Sequence, residues 1–272
     1  RGKLGVYLFF VLSAYLLDRK IIKMFQQERA EWDYWLYYIS RRILRIFPLF
    51  FLALVVFRLA NASGLKVVIN EWQEVWQHLA LQRGDHIIWS IPVEFKYYLL
   101  SPILLFIFHR LFRWNIYATG VTLLSVMVGS HLFVLWWYPA GTSTLWFLNI
   151  FLLGTLVALI ERLHPKLWNT LTQSTFTTYL GWTVLLIFSV WSWKAENYTN
   201  IGTFIPAATL WSVALIASFK TGLWATVLSW KPLRWVGAVS FSMYLFHIPV
   251  LMWVKSFELP SEIAWLSYLA LT

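Results

Sequence analysis

The 272-residue chain contains no cysteine, and only 12% of its residues are charged. Without cysteine there is no disulfide and no thiolate metal site, and the redox compartment is unconstrained. A soluble domain carries roughly 25% charged residues. The deficit, together with 60% hydrophobic residues and a mean hydropathy of +0.63, excludes an ordinary water-soluble domain and places the chain in a membrane. Familiar catalytic signatures are missing as well. There is no H-E-x-x-H and no carboxylate cluster, so no metal is expected. No Gly-rich phosphate loop occurs; Gly5, Gly154 and Gly237 stand alone and read as points of close helix packing. The absence of G-x-S-x-G argues against a serine hydrolase elbow. Strand-length alternation is lacking too, which excludes a membrane barrel.

What the chain has instead is apolar length. Nine segments stand out: about 4–17, 43–59, 87–108, 116–138, 144–160, 176–193, 201–219, 235–254 and 263–272. Most reach the ~17–25 residues of a spanning helix, while the first is short and the last is cut off. Backbone cannot be left unpaired in lipid, so the predicted fold is all-α, a polytopic membrane helix bundle with about nine transmembrane segments in one domain over residues 1–272. The chain opens on a membrane-type segment and ends inside one, and is expected to be a piece of a longer protein. The 19 Trp and 13 Tyr suit many membrane–water interfaces.

The net charge of +10 raises the question of nucleic acid. The cations instead lie between apolar segments, where they set topology, so no nucleic-acid partner is expected. The first connection holds Arg19, Lys20, Lys23, Arg29, Arg41, Arg42 and Arg45, and the other odd connections add Arg110, Arg113, Arg162, Lys166, Lys220, Lys231 and Arg234. The even connections hold only Arg58, Lys66, Arg83, Lys194 and Lys255. The odd connections are therefore expected in the cytoplasm. The longest outer connection, about 60–86, carries Trp72, Trp76 and Leu79 at helical spacing, which predicts a short helix at the outer surface.

Three groups can carry chemistry. Arg41, Arg42 and Arg45 stand where the second helix meets the cytoplasmic interface. Guanidinium forks match phosphate oxygens, so the cluster is a candidate site for a phosphorylated ligand; the plain alternative is an orientation signal touching lipid head groups. Glu94 lies inside the third segment, an expensive place for a carboxylate, at about 2.5–3.5 kcal/mol on insertion scales. Burial raises the proton affinity of such a group and suits a general acid or base; the alternative is a structural ion pair. Lys96, two positions on, faces elsewhere on the helix. His247, in the eighth segment, falls at a depth similar to that of Glu94, about 12 Å against 9–10 Å from the outer surface. Either the two face one cavity, or His247 bonds a backbone carbonyl freed by Pro249. His78, His86, His109, His131 and His164 lie near segment ends and read as interfacial.

Four stretches together resemble one family, the membrane-bound acyltransferase family 3 of bacterial envelopes. The stretch from Gly5 to Tyr15, GVYLFFVLSAY, is similar to the family's G-V-D-L-F-F-V-L-S-G-F. Ser40 to Pro48, SRRILRIFP, resembles R-R-x-x-R-I-x-P; Trp89 to Leu100, WSIPVEFKYYLL, resembles W-S-L-S-V-E-x-Q-F-Y-L-L; and Gly237 to Pro249, GAVSFSMYLFHIP, resembles G-x-x-S-Y-S-L-Y-L-W-H-x-P. Residues 151–154 add a weaker match. The resemblance implies about ten helices in the intact family. It also implies transfer of an acyl group, often acetyl, from cytoplasmic acyl-CoA to a hydroxyl of an envelope glycan or polysaccharide, in a multi-pass protein of the bacterial inner membrane. On that pattern Arg41, Arg42 and Arg45 hold the CoA phosphates, Glu94 matches the functional glutamate, and His247 stands near the acceptor. The family's first helix, with a basic residue and a His eleven apart, precedes the glycine stretch, and no position here inherits that His. Tyr7 replaces a usual Asp, Ala14 a Gly and Lys96 a Gln. A transporter or flippase relaying protons through Glu94 and His247 is the alternative class, although no paired, Gly/Pro-interrupted segments mark inverted repeats.

Overall fold

The computed structural model describes residues 2–29, 31–65, 69–137, 142–190, 201–220 and 223–257. Among these the secondary structure is helical, with no strand. The helices are α1 (Gly2–Gln26), α2 (Trp32–Ala62), α3 (Trp72–Leu79), α4 (Ser90–Arg110), α5 (Ile116–Trp137), α6 (Leu148–Leu163), α7 (Pro165–Gln173), α8 (Thr175–Val190), α9 (Ile201–Ala217), α10 (Leu223–Leu228) and α11 (Lys231–Lys255). Single 3-10 turns, His86–Trp89 and Thr144–Phe147, lead into α4 and α6. Over their described residues eight of the nine apolar segments fall on helices, and the ninth, 263–272, lies outside the described residues. Among the described residues, five stretches are long and apolar enough to cross a membrane: Trp32–Ala62, His86–Arg110, Ile116–Trp137, Thr144–Leu163 and Lys231–Lys255. On α5, Leu124, Val128 and Leu132 are each more than half exposed, a surface that suits hydrocarbon rather than water.

The first helix differs from its sequence reading. The apolar run stops at Leu17, yet α1 continues to Gln26 and takes Asp18, Arg19, Lys20 and Lys23 out of the first connection. The cause is a buried stripe, since Leu17, Ile21, Met24 and Phe25 recur at i, i+4, i+7 and i+8 and are all inside. Likewise Arg41, Arg42 and Arg45 stand well within α2, two to four turns past its first residue.

The chain divides into two compact units, each assembled from two stretches: Arg1–Tyr34 with Val93–Trp230, and Trp35–Pro92 with Lys231–Thr272. The first is built around α1 and α6. A Cβ at Gly154 would lie 2.3 Å from the Val11 carbonyl oxygen and 2.9 Å from the Ala14 Cβ, so only glycine lets these helices approach so closely. Phe10 stacks on Phe151 at 4.5 Å between ring centroids, and Tyr97 of α4 stacks on the same ring at 4.2 Å. Helix α9 joins through the Trp211 indole, which donates to the Leu4 carbonyl at 3.0 Å. Towards the far end of α1, Arg19 pairs with Glu161 at 2.8 Å while the Tyr15 hydroxyl donates to the same carboxylate at 2.8 Å.

In the second unit α11 meets the approach to α4. The Tyr244 hydroxyl donates to the Ile87 carbonyl and lies 2.9 Å from the Ser90 hydroxyl. The short helix expected around Trp72, Trp76 and Leu79 is α3. It buries Val75 and His78 and leaves Trp72 and Trp76 exposed, with the Arg58 guanidinium 5.8 Å from the Trp72 ring. His78 departs from the interfacial reading because it is fully buried. Its Nδ1–H donates to the Glu74 carbonyl at 2.7 Å, and its Nε2 accepts from the Asp85 backbone N–H at 3.3 Å. Around it, Arg83 bridges Glu74 at 2.9 Å and Asp85 at 2.6 Å.

Candidate active site

Glu94 belongs to α4, and its burial follows from that helix's face towards α1. Glu94, Tyr97, Tyr98 and Ser101 recur at i, i+3, i+4 and i+7, which places them in one stripe. The Glu94 side chain is 3% exposed. Its Oε1 accepts a hydrogen bond from the Ser13 hydroxyl of α1 at 2.5 Å and another from the Tyr98 hydroxyl one turn along its own helix. Ser13 and Tyr98 lie 2.9 Å apart, which closes a triangle of two hydroxyls and one carboxylate oxygen. Lys96 turns away, as its position two residues on requires, and donates to the Thr142 carbonyl at 3.3 Å. Thr144 reaches the same end of the helix, its hydroxyl donating to the Val93 carbonyl at 2.8 Å.

Two hydroxyl groups, those of Ser13 and Tyr98, bond the Glu94 carboxylate. Each exchanges a proton readily and each fixes the carboxylate's orientation, so the arrangement can accept, hold or pass a proton. Ser13 and Tyr98 both lie in the sequence stretches that carried the family resemblance, but nothing in a linear pattern pairs residues 85 positions apart.

A second buried carboxylate, Asp18, stands just past the apolar run and beside Arg19 and Lys20, so nothing in the linear sequence marks it as buried. It is fully buried on α1. The Tyr97 and Thr155 hydroxyls each donate to its Oδ2 at 2.7 Å, and Ser101 donates to its Oδ1. The apolar recurrence from Leu17 to Phe25 carries the helix past it.

The arginines lie in the second unit. Arg41 donates to the Tyr37 hydroxyl at 2.5 Å, with its guanidinium 5.1 Å from that ring, and the Arg42 guanidinium sits 5.7 Å from the Tyr38 ring. Each pair is an i, i+4 neighbour on α2, so the tyrosines set the direction of the forks. Arg41 and Arg45 are exposed and Arg42 half-buried, a basic surface open to an anion. His247, on α11, is half-buried. Its Nδ1 lies 2.7 Å from the Tyr244 carbonyl. A carbonyl only accepts, so Nδ1 carries the proton and Nε2 is the acceptor nitrogen. The carbonyl is that of Tyr244, one residue before Leu245, whose own oxygen faces the proline nitrogen of Pro249.

A family model described as an acyltransferase domain matches residues 1–272. The chain belongs to this family, acyltransferase family 3. It is similar to the O-acetyltransferase OatA of Staphylococcus aureus, 27% identical over 299 residues, covering 96% of this chain and 48% of that protein. It is also similar to the peptidoglycan O-acetyltransferase OatA of Listeria monocytogenes, 23% identical over 294 residues, covering 92% of this chain and 45% of the relative. The chain therefore spans about half the length of the curated relatives it matches. No solved structure matches it. Membership of the family agrees with the resemblance carried by the four sequence stretches and with the all-helical, multi-pass architecture.

Proposed function

We propose that this domain transfers an acetyl group from cytoplasmic acyl-CoA to a hydroxyl of an envelope glycan, with peptidoglycan the acceptor that the relatives' names favour. The observation that carries the reading is the buried Glu94 carboxylate held by Ser13 and Tyr98 inside a domain of an acyltransferase family. In the reaction the thioester C–S bond breaks and an ester C–O bond forms. The acceptor hydroxyl loses its proton and the CoA sulfur gains one. A fixed carboxylate beside two hydroxyls suits the handling of that proton or the orientation of the group that takes it. Arg41, Arg42 and Arg45 bind the donor's phosphates, where planar forks and positive charge match phosphate oxygens. His247, with Nε2 as acceptor, orients the incoming hydroxyl. On this reading the N-terminal half of α2, which carries the arginines, faces the cytoplasm, the donor's side of a bacterial inner membrane.

The test is acetyl transfer from acetyl-CoA to peptidoglycan glycan chains in membranes containing the full-length protein, read as ester formation and release of free CoA. Glu94→Gln is expected to abolish transfer while the protein remains folded. Unchanged transfer removes Glu94 from the chemistry, and an intact protein that releases no CoA removes the donor assignment.

A further inference from the structure

Two carboxylates, not one, are sunk in the contact between α1 and α4. Glu94 binds Ser13 and Tyr98, and Asp18 binds Tyr97 and Ser101 from the same stripe of α4, together with Thr155 from α6. From Glu94 to Ser101 is seven residues, about 10 Å along the helix axis, so the two sites are close to two turns apart. The Asp18 partners are all neutral hydroxyls. Among the described residues no ion pair reaches Asp18, and the adjacent Arg19 is committed to Glu161. Burying a carboxylate against neutral donors alone is costly, and a simple packing contact would be served better by an apolar residue.

What Asp18 does geometrically is fix a rotation. Tyr97 precedes Tyr98 in the chain, and Ser101 lies one turn beyond Tyr97. A carboxylate on α1 that holds both Tyr97 and Ser101 leaves α4 little freedom to roll against α1, and Thr155 ties the same oxygen to α6. The Tyr97–Thr155 contact at 2.8 Å closes this second triangle as Ser13–Tyr98 closes the first. With the roll of α4 set, Tyr98 and Glu94 present themselves to Ser13. The geometry points to Asp18 as a positioning residue for acyl transfer, acting through α4 on Glu94. This rests on the reading of Glu94 given above.

The experiment uses the full-length protein in membranes, with acetyl-CoA as donor and peptidoglycan glycan chains as acceptor. Asp18→Leu is expected to lower kcat about tenfold or more with the donor KM within about twofold of the wild type. Tyr97→Phe removes one hydroxyl and little else. It is expected to lower kcat by a smaller factor with KM again unmoved, and it carries the test if Asp18→Leu does not fold. Because both carboxylate sites act on one geometry, Asp18→Leu added to Tyr98→Phe should cost less than the product of the separate losses. Wild-type kcat in Asp18→Leu, losses that multiply, or losses that track only the amount of folded protein overturn the proposal. Glu94→Gln separates the two failures. An inactive Glu94→Gln beside a fully active Asp18→Leu removes this inference alone, whereas a fully active Glu94→Gln removes the catalytic reading and this one with it.

Discussion

Gly154→Ala tests whether the α1–α6 contact is as tight as the site requires. The added methyl would sit 2.3 Å from the Val11 carbonyl oxygen, 3.1 Å from its carbon and 2.9 Å from the Ala14 Cβ. A carbon–oxygen contact settles near ~3.3 Å, so the helices must part by about 1 Å. Alanine gains about 1 kcal/mol over glycine in helix propensity. Against that stands overpacking, at about 1–3 kcal/mol, towards the upper end because the closest atom is backbone and cannot swing aside. Clash wins, for a net loss of about 1–2 kcal/mol. The same displacement stretches the Thr155–Asp18 hydrogen bond from 2.7 Å to beyond hydrogen-bonding range, so kcat should fall as well. Thermal unfolding in detergent micelles reads the first effect and acetyl transfer the second. Ala14→Gly in the same chain should not rescue either, since the nearest atom belongs to Val11. A Gly154→Ala protein at least as stable as the wild type, or full rescue by Ala14→Gly, refutes the reasoning.

Other outcomes follow from the same geometry. Ser13→Ala removes one of the hydroxyl donors to Glu94 and should slow transfer about tenfold or more, given the ~1.5–3 kcal/mol typical of hydrogen bonds to charged groups, with donor KM unchanged. Arg42→Lys keeps the charge but loses the planar fork, so donor KM should rise several-fold with kcat retained; an unchanged KM removes Arg42 from the phosphate site. Between α2 and α4, the Asn70 backbone N–H, donating to Glu74 at 2.7 Å, and the Arg83 guanidinium hold the Glu74 carboxyl below the usual carboxylate range. A lowered folded value means stabilisation that is complete above the unfolded value and lost as pH falls through the folded one. Amide protection across residues 70–85, corrected for the intrinsic exchange rate, should therefore weaken below about pH 4, and Glu74→Gln should reduce that dependence on pH. Corrected protection that is flat with pH in the wild type would contradict the assignment.

Much of the architecture was legible because hydropathy belongs to consecutive residues. Apolar runs at Ile87–Phe108 and Ile116–Tyr138 mark α4 and α5 within a few positions, and Trp72 and Trp76 mark α3. Glu94 was visible for the same reason, as a charge standing where only apolar residues are cheap. Asp18 obeys the same physics but was hidden by Arg19 and Lys20, which made a helix end look like a connection. His78, polar and near a segment end, gave no hint that it is buried and bonded to Glu74 and Asp85.

By itself, then, the order of residues determined a helical membrane protein, a glutamate inside an apolar segment and the family it belongs to. Tertiary structure alone decided that Ser13 and Tyr98 hold Glu94, that Asp18 gathers Tyr97, Ser101 and Thr155, and that Gly154 admits Val11. The reason is rotational. Periodicity tells which residues share a face, but which face meets which neighbour depends on packing between helices that lie 80 to 140 residues apart in the chain.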